Sequence, residues 1–278
     1  MLNSFPQVMT IAGSDSDGSA GEQADLNTFF ARNVYGMSIL TACVAGNSYG
    51  IRASQALSPD FIDAEFEAIA ADFQVRACKT GMLTDRETIL TVANQLKKHD
   101  FGPLVLDPVI ITKHEALLLA DDAFNTLKTE LMPLATVLTP NFYEAQKLTG
   151  IELKTPADFQ AAGQALLAMD AKNVMIKGHH EAGQSIVTDY VCLADGQEFW
   201  LSEPYVETTH INGTGDSLSA CICAEIAKGQ TIEAAIKTAK QFVHRAPSLT
   251  RLKSATSTVQ LTTMLKIQKS PRKNPWAF

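Results

Sequence analysis

The stretch Asn212-Gly213-Thr214-Gly215-Asp216-Ser217 runs straight into an apolar series, Leu218, Ala220, Ile222, Cys223, Ile226 and Ala227, which Lys228 and Gly229 close. That spacing predicts a helix with a cation in its last turn and a glycine just past its end. Two glycines ahead of a helix let successive backbone N–H groups turn into one concavity. The helix N-terminus adds partial positive charge, so the place suits an anion. Asp216 sets a carboxylate beside that concavity and is a candidate proton acceptor. A phosphoryl group in the concavity and a hydroxyl against Asp216 would give phosphoryl transfer. The plainer reading is that Asp216 caps the helix.

The rest of the chain alternates strand and helix. Val8–Ala12 reads as a buried strand, Gly13–Gly21 as a polar, glycine-rich loop, and Glu22–Arg32 as a helix with Leu26, Phe29 and Phe30 inward. Strand, loop and helix in that order suggest a ligand at the strand's C-terminal end. The loop has neither dinucleotide-binding spacing nor a P-loop's Gly-Lys-Ser/Thr. From spacing alone Asp25 reads as a solvated helix residue. Tyr35–Ala45 is a second strand and residues 46–50 a turn or flap. A helix over 59–72 carries Phe61, Phe66, Ile69 and Ala70 inward. Strand 77–83 ends in a glycine turn, and helix 88–98 turns Ile89, Val92, Ala93 and Leu96 to one face.

Pro103–Val109 is a continuous apolar run ending in Asp107-Pro108, as in a strand covered on both faces. Asp107 is placed for a metal-bound ligand or, more plainly, for a turn. Ala123–Leu131 reads as a helix. Ala135–Asn141 repeats the strand-to-proline pattern, with Glu144 in the next helix, where it either serves a ligand or complements the helix dipole. Helix 157–169, strand 173–178 and a strand pair, 186–193 and 198–201, turned by Asp195-Gly196, follow. His179 and His180 read as exposed loop histidines. Alternation of this kind predicts a mostly parallel sheet between helix layers.

Composition narrows the class. The chain has 278 residues, 46% hydrophobic and 19% charged, with net charge −7. This is globular composition, without a basic face for nucleic acid. Five scattered cysteines without a C-x-x-C pair fit a reduced, cytoplasmic setting. No secretion signal and no membrane-length apolar run is expected.

Eight pieces then occur in one family's order across residues 8–245. They are Thr10-Ile11-Ala12-Gly13-Ser14-Asp15, Gln23-Ala24-Asp25-Leu26, Val34-Tyr35-Gly36-Met37, Lys79-Thr80-Gly81-Met82-Leu83, Leu106-Asp107-Pro108-Val109, Thr139-Pro140-Asn141-Phe142-Tyr143-Glu144-Ala145, Ile176-Lys177-Gly178 and Gly213-Thr214-Gly215-Asp216. In these the chain resembles the vitamin kinases of the ribokinase superfamily, in the branch of pyridoxal kinases and hydroxymethylpyrimidine kinases. The resemblance implies one ribokinase-like α/β/α domain over residues 1–278, with 265–278 as a basic tail. It implies transfer of the ATP γ-phosphate to a hydroxymethyl group on an aromatic ring, and a homodimer without nucleic-acid or membrane partners.

By the same resemblance Gly213, Thr214 and Gly215 hold the transferring phosphate and Asp216 takes the hydroxyl proton. Asn141, Glu144, Lys177 and Thr214 serve ATP, Asp107 and Glu144 serve its Mg²⁺, and Gly13, Ser14, Asp25, Asn47, Met82 and Val109 fall where the ring binds. Pyrimidine kinases of the branch usually carry Cys where this chain has Asp216, and a ring-reading Gln where it has Gly46. A lost hydrogen bond to a buried polar group costs about 1–3 kcal/mol. The expectation is therefore a pyridoxal kinase of vitamin B6 salvage, acting also on pyridoxine and pyridoxamine. The alternatives are a hydroxymethylpyrimidine (phosphate) kinase of thiamine biosynthesis and an inactive vitamin- or nucleotide-binding regulator.

Overall fold

The computed structural model describes residues 5–47, 50–110, 119, 121–179, 184–206 and 212–249. His180, residues 207–210 and the basic tail lie outside the described residues. Nine strands form one sheet: β1 (Gln7–Asp15), β2 (Tyr35–Asn47), β3 (Gly50–Ala56), β4 (Val75–Thr80), β5 (Leu104–Leu106), β6 (Ala135–Leu138), β7 (Val174–Ile176), β8 (Ile186–Cys192) and β9 (Glu198–Pro204). Their order is β3-β2-β1-β4-β5-β6-β7-β8-β9. The pairings from β2 through β7 are parallel, while β3, β8 and β9 are antiparallel additions at the two edges.

Helices cover both faces, as a parallel sheet requires. One face carries α2 (Pro59–Asp72), α3 (Arg86–Lys98), α4 (Asp121–Thr126), α5 (Phe142–Thr149) and α6 (Pro156–Leu167), whose Ile62, Phe66, Ile89, Val92, Ala123, Leu148 and Leu166 pack on Met9, Ile11, Leu104 and Ile176. The other carries α1 (Gly21–Ala31), α7 (Thr214–Ala227) and α8 (Ile232–Leu249), which bury Phe29, Ile222 and Ile236 against Val8, Ala77, Val105 and Met175. The α/β/α architecture is thus the expected ribokinase-like one. Among the described residues no helix is long and apolar enough to cross a membrane.

Three local expectations are corrected. Phe30 is 73% exposed and Phe61 54% exposed, because Phe29 and Ile62, one position along each helix, take the inner face. Residues 50–56 form an extra strand, β3, whose side chains are all exposed and so carry no inside–outside alternation to read. His179 is half-buried rather than exposed, packed beside the rings of Phe142 and Tyr143 at centroid distances of 5.2 and 5.4 Å.

The loops after β1, β4, β5, β6 and β7 gather at the C-terminal ends of those strands, and α7 points its first turn at them. A Cβ placed on Gly215 would lie 3.4 Å from Lys177 Nζ, just past β7, and 3.6 Å from Asp107 Oδ2, just past β5. The carboxyl ends of parallel strands are where α/β sheets bind ligands.

Candidate active site

The first turn of α7 is held in shape by its N-cap, Gly213, at φ +71°. A side chain is excluded there twice over: by the left-handed backbone, and by the Ser19 carbonyl oxygen, which would lie 1.9 Å from a Cβ. The loop after β1 therefore presses directly on the glycine turn. That loop is itself braced by Asp15, whose carboxylate accepts from the Ser19 hydroxyl at 3.0 Å and the Ala20 N–H at 3.1 Å.

Asp216 sits in the first turn, where the helix dipole favours a carboxylate. The N-cap position is Gly213, so the reading of Asp216 as a cap is not the arrangement observed. The Asp216 side chain is 19% exposed, and its Oδ1 lies 3.7 Å from Lys79 Nζ. Burial raises its carboxyl above the usual range, with Lys79 pulling the other way and Asp107 adding to the rise.

Behind Asp216 lies a charge cluster without exposure. Lys79 Nζ donates to Asp25 Oδ1 at 2.7 Å, and Thr10 Oγ1 donates to Asp25 Oδ2 at 2.6 Å. Both Lys79 and Asp25 are 0% exposed. Two expectations for Asp25 are corrected here, the solvated helix face and the ring contact. Its carboxylate is closed off from any ligand surface, and both oxygens are held from inside. Burial pushes its carboxyl up to about 7, against the pull of Lys79.

On the other side of the glycine turn, Lys177 Nζ donates to Asp107 Oδ1 at 3.1 Å, and Ser219 Oγ donates to Asp107 Oδ2 at 3.3 Å. Burial alone would lower the Lys177 ammonium, yet Asp107 and Glu144 raise it on balance, so it remains a cation. Glu144 forms a capping box with Asn141: its Oε2 accepts the Asn141 N–H at 2.7 Å, while its own N–H reaches Asn141 Oδ1 at 2.9 Å. Its Oε1 accepts the Ile110 N–H at 2.9 Å. That bond holds the turn in which Val109 adopts φ +44°, costly for a β-branched residue.

Of the expected ring-binding residues, Gly13 and Met82 are brought together, since a Cβ on Gly13 would lie 2.5 Å from Met82 Cε. Ser14, next to Gly13 on β1, and Val109, after β5, are half-buried, whereas Asn47 is exposed at the end of β2. Lys79 and Ser219 went unassigned in the sequence. A lone lysine in the buried run Ala77-Cys78-Lys79-Thr80 was the available signal for the first.

A divalent cation is tested against these donors. Among the described residues no three His, Cys, Asp or Glu side chains converge as a protein-only cage. Asp107 offers a hard carboxylate with lone pairs beyond the bonds above, whereas Glu144 is 1% exposed with a backbone N–H on each oxygen. Mg²⁺ takes one or two carboxylates plus phosphates and waters, so Asp107 fits it.

Comparisons with known proteins show the family. The family described as phosphomethylpyrimidine kinase matches residues 15–259. A hydroxymethylpyrimidine/phosphomethylpyrimidine kinase of Haemophilus influenzae is 46% identical over 249 residues, 89% of this chain and 93% of that protein. Among solved structures, phosphomethylpyrimidine kinase from Clostridium difficile superposes with a TM-score of 0.77 at 36% identity, covering 87% of this chain and 99% of the other. The ADP complex of Bacillus subtilis pyridoxal kinase gives 0.83 at 34% identity, covering 93% and 98%.

These relatives overturn the preference for pyridoxal and the other B6 vitamers. The sequence argument rested on two positions, Asp216 in place of Cys and Gly46 in place of a ring-reading Gln, which is too little against 46% identity over 249 residues. The Ser16 hydroxyl bonds both the Gly46 N–H, at 2.9 Å, and its carbonyl, at 2.8 Å, so the backbone here is tied into the β1 loop. One absent amide, worth about 1–3 kcal/mol, tunes affinity but does not choose the ring when the rest of the site is shared.

Proposed function

The chain belongs to the phosphomethylpyrimidine kinase family and is an ATP-dependent kinase, and from that membership we propose that it phosphorylates the hydroxymethyl group of a hydroxymethylpyrimidine and then the resulting monophosphate. The phosphoryl transfer in this reading is best supported by Asp216 at the mouth of the glycine turn, with the Lys177–Asp107 pair beside Gly215, and the pyrimidine by the relative 46% identical over 249 residues.

In the first reaction the substrate hydroxyl would lie against Asp216. As its oxygen bonds to the γ-phosphorus, the bond from that phosphorus to the β–γ bridging oxygen breaks, ADP departs, and Asp216 accepts the hydroxyl proton. Such transfer needs alignment and charge neutralisation more than covalent help. The backbone N–H groups of Gly213, Thr214 and Gly215, the α7 dipole and Lys177 supply positive potential where the migrating group passes. Gly13, Ser14, Asn47, Met82 and Val109 would contact the ring, and Asn141, Glu144 and Thr214 the nucleotide. Asp107 would hold Mg²⁺ through the nucleotide; the ion supplies further neutralisation of phosphate charge. A homodimer in a cytoplasmic setting accompanies this reading.

A substrate panel tests it. With ATP and Mg²⁺, ADP release should depend on added hydroxymethylpyrimidine, and kcat/KM for that substrate should exceed the value for pyridoxal. A clear preference for pyridoxal contradicts the proposal. Nucleotide binding without ADP release would mark an inactive binder.

A further inference from the structure

The buried pair behind Asp216 has no part in the mechanism above, yet both of its charged side chains are 0% exposed. Taking an ammonium and a carboxylate out of water costs several kcal/mol per ion before their attraction returns it. Four elements converge to do so: Thr10 from β1, Asp25 from α1, Lys79 from β4 and Asp216 from α7. Asp25 is fully committed inward, while Asp216 is the member with exposed surface. The ammonium thus stands between a sealed carboxylate and an open one.

We propose that Lys79 and Asp25 are positioning residues for Asp216: the Lys79 ammonium, anchored by Asp25, orients the Asp216 carboxylate and keeps it ionised to accept the substrate's proton. This rests on the reading of Asp216 as proton acceptor. An opposite charge at this range favours the ionised form of a carboxylate. Asp25 sets how much of that influence reaches Asp216, because it competes for the same ammonium. A purely structural pair clipping α1 to β4 would give stability without touching the protonation of Asp216.

The other charged and titratable groups around the cluster are few. Asp107 past β5 and Lys177 past β7 act on Asp216 with opposite signs. Cys78 of β4 and Cys223 of α7 lie close by, and burial raises both thiols, so they stay neutral. Lys79 itself remains protonated: burial works against the charge, but Asp25, Asp216 and Asp107 outweigh it. Asp25 and Asp216, both raised by burial, are then the groups near Lys79 whose ionisation turnover would report, and Asp25→Asn removes the first, so an acid limb that survives it belongs to Asp216.

The test is the pH profile of single-turnover phosphorylation of hydroxymethylpyrimidine, with thermal melts as a fold control. Lys79→Met should move the acid limb up by about one to three pH units, with the lost rate returning at high pH. Asp25→Asn should move it the other way, because the ammonium then serves Asp216 alone. The double variant K79M/D25N, with no unpaired buried charge, should lie above Asp25→Asn and keep the ATP KM within about twofold. Should Lys79→Met not fold, Asp25→Asn and the double variant decide by their order. Acid limbs that stay put, or move the same way in folded Lys79→Met and Asp25→Asn, overturn the proposal. Asp216→Asn separates the two claims. If it stays active, the acceptor reading fails; if it is inactive while those limbs do not move, the positioning role alone fails.

Discussion

Gly213 meets two demands at one residue. Its φ of +71° is a conformation that costs an L side chain roughly 1–2 kcal/mol, and the Ser19 carbonyl occupies the space a Cβ would need. Backbone there cannot yield without moving either the β1 loop or the first turn of α7, and both belong to the proposed site. Gly213→Ala should therefore lower kcat by about tenfold or more, since misplacing reacting groups by an ångström costs up to ~100-fold. Steady-state kinetics beside a thermal melt would check this; an unchanged kcat in a folded variant would show that the turn does not position the phosphate. The motif Gly-Thr-Gly-Asp made this residue legible in the sequence. The contact with Ser19, 194 positions away, had no local trace.

At the scale of elements, α5 shows how a helix start becomes part of the site. The capping box of Asn141 and Glu144 fixes where α5 begins, and the second oxygen of Glu144 fixes the Val109–Ile110 turn after β5. Burial pushes this carboxyl up to about 7 from an ordinary 4.5, with Lys177 pulling down and Asp107 pushing up. The native state therefore holds the proton more tightly than the unfolded chain. Stability from this group is full below pH 4.5 and is lost as pH rises through about 7. In Glu144→Gln the group no longer titrates, so urea unfolding between pH 5 and 8 should fall less steeply than in the wild type. The variant should also be less stable by about 1–3 kcal/mol at the acid end, because an amide can accept only one of the two N–H bonds. Parallel stability curves would contradict this. Glu144 could be read as a first-turn carboxylate from sequence; that it spans two strand ends could not. Helix faces were read well where Ile89, Val92 and Ala93 repeat at helical spacing, and missed where two apolar residues stand side by side, as Phe29-Phe30 and Phe61-Ile62 do.

Across the whole molecule, the order of strands and helices was legible because buried parallel strands leave continuous apolar runs such as Val105-Leu106. Strand β3 escaped because nothing in it is buried. The ionic cluster escaped for another reason: Lys79 and Asp25 are 54 residues apart, and only the sheet order, with β1 between β2 and β4, puts their elements side by side. Ring choice was misread because two positions, Asp216 and Gly46, were weighed against the remainder of the chain. The arrangement of β1, β4, β5 and β7 ends around the first turn of α7 nonetheless converges on one group. The most direct measurement is single-turnover phosphoryl transfer by Asp216→Asn alongside its affinity for ATP. The account predicts that the rate for hydroxymethylpyrimidine falls by roughly 100-fold or more while the ATP dissociation constant stays within about twofold. A rate close to that of the wild type would contradict it.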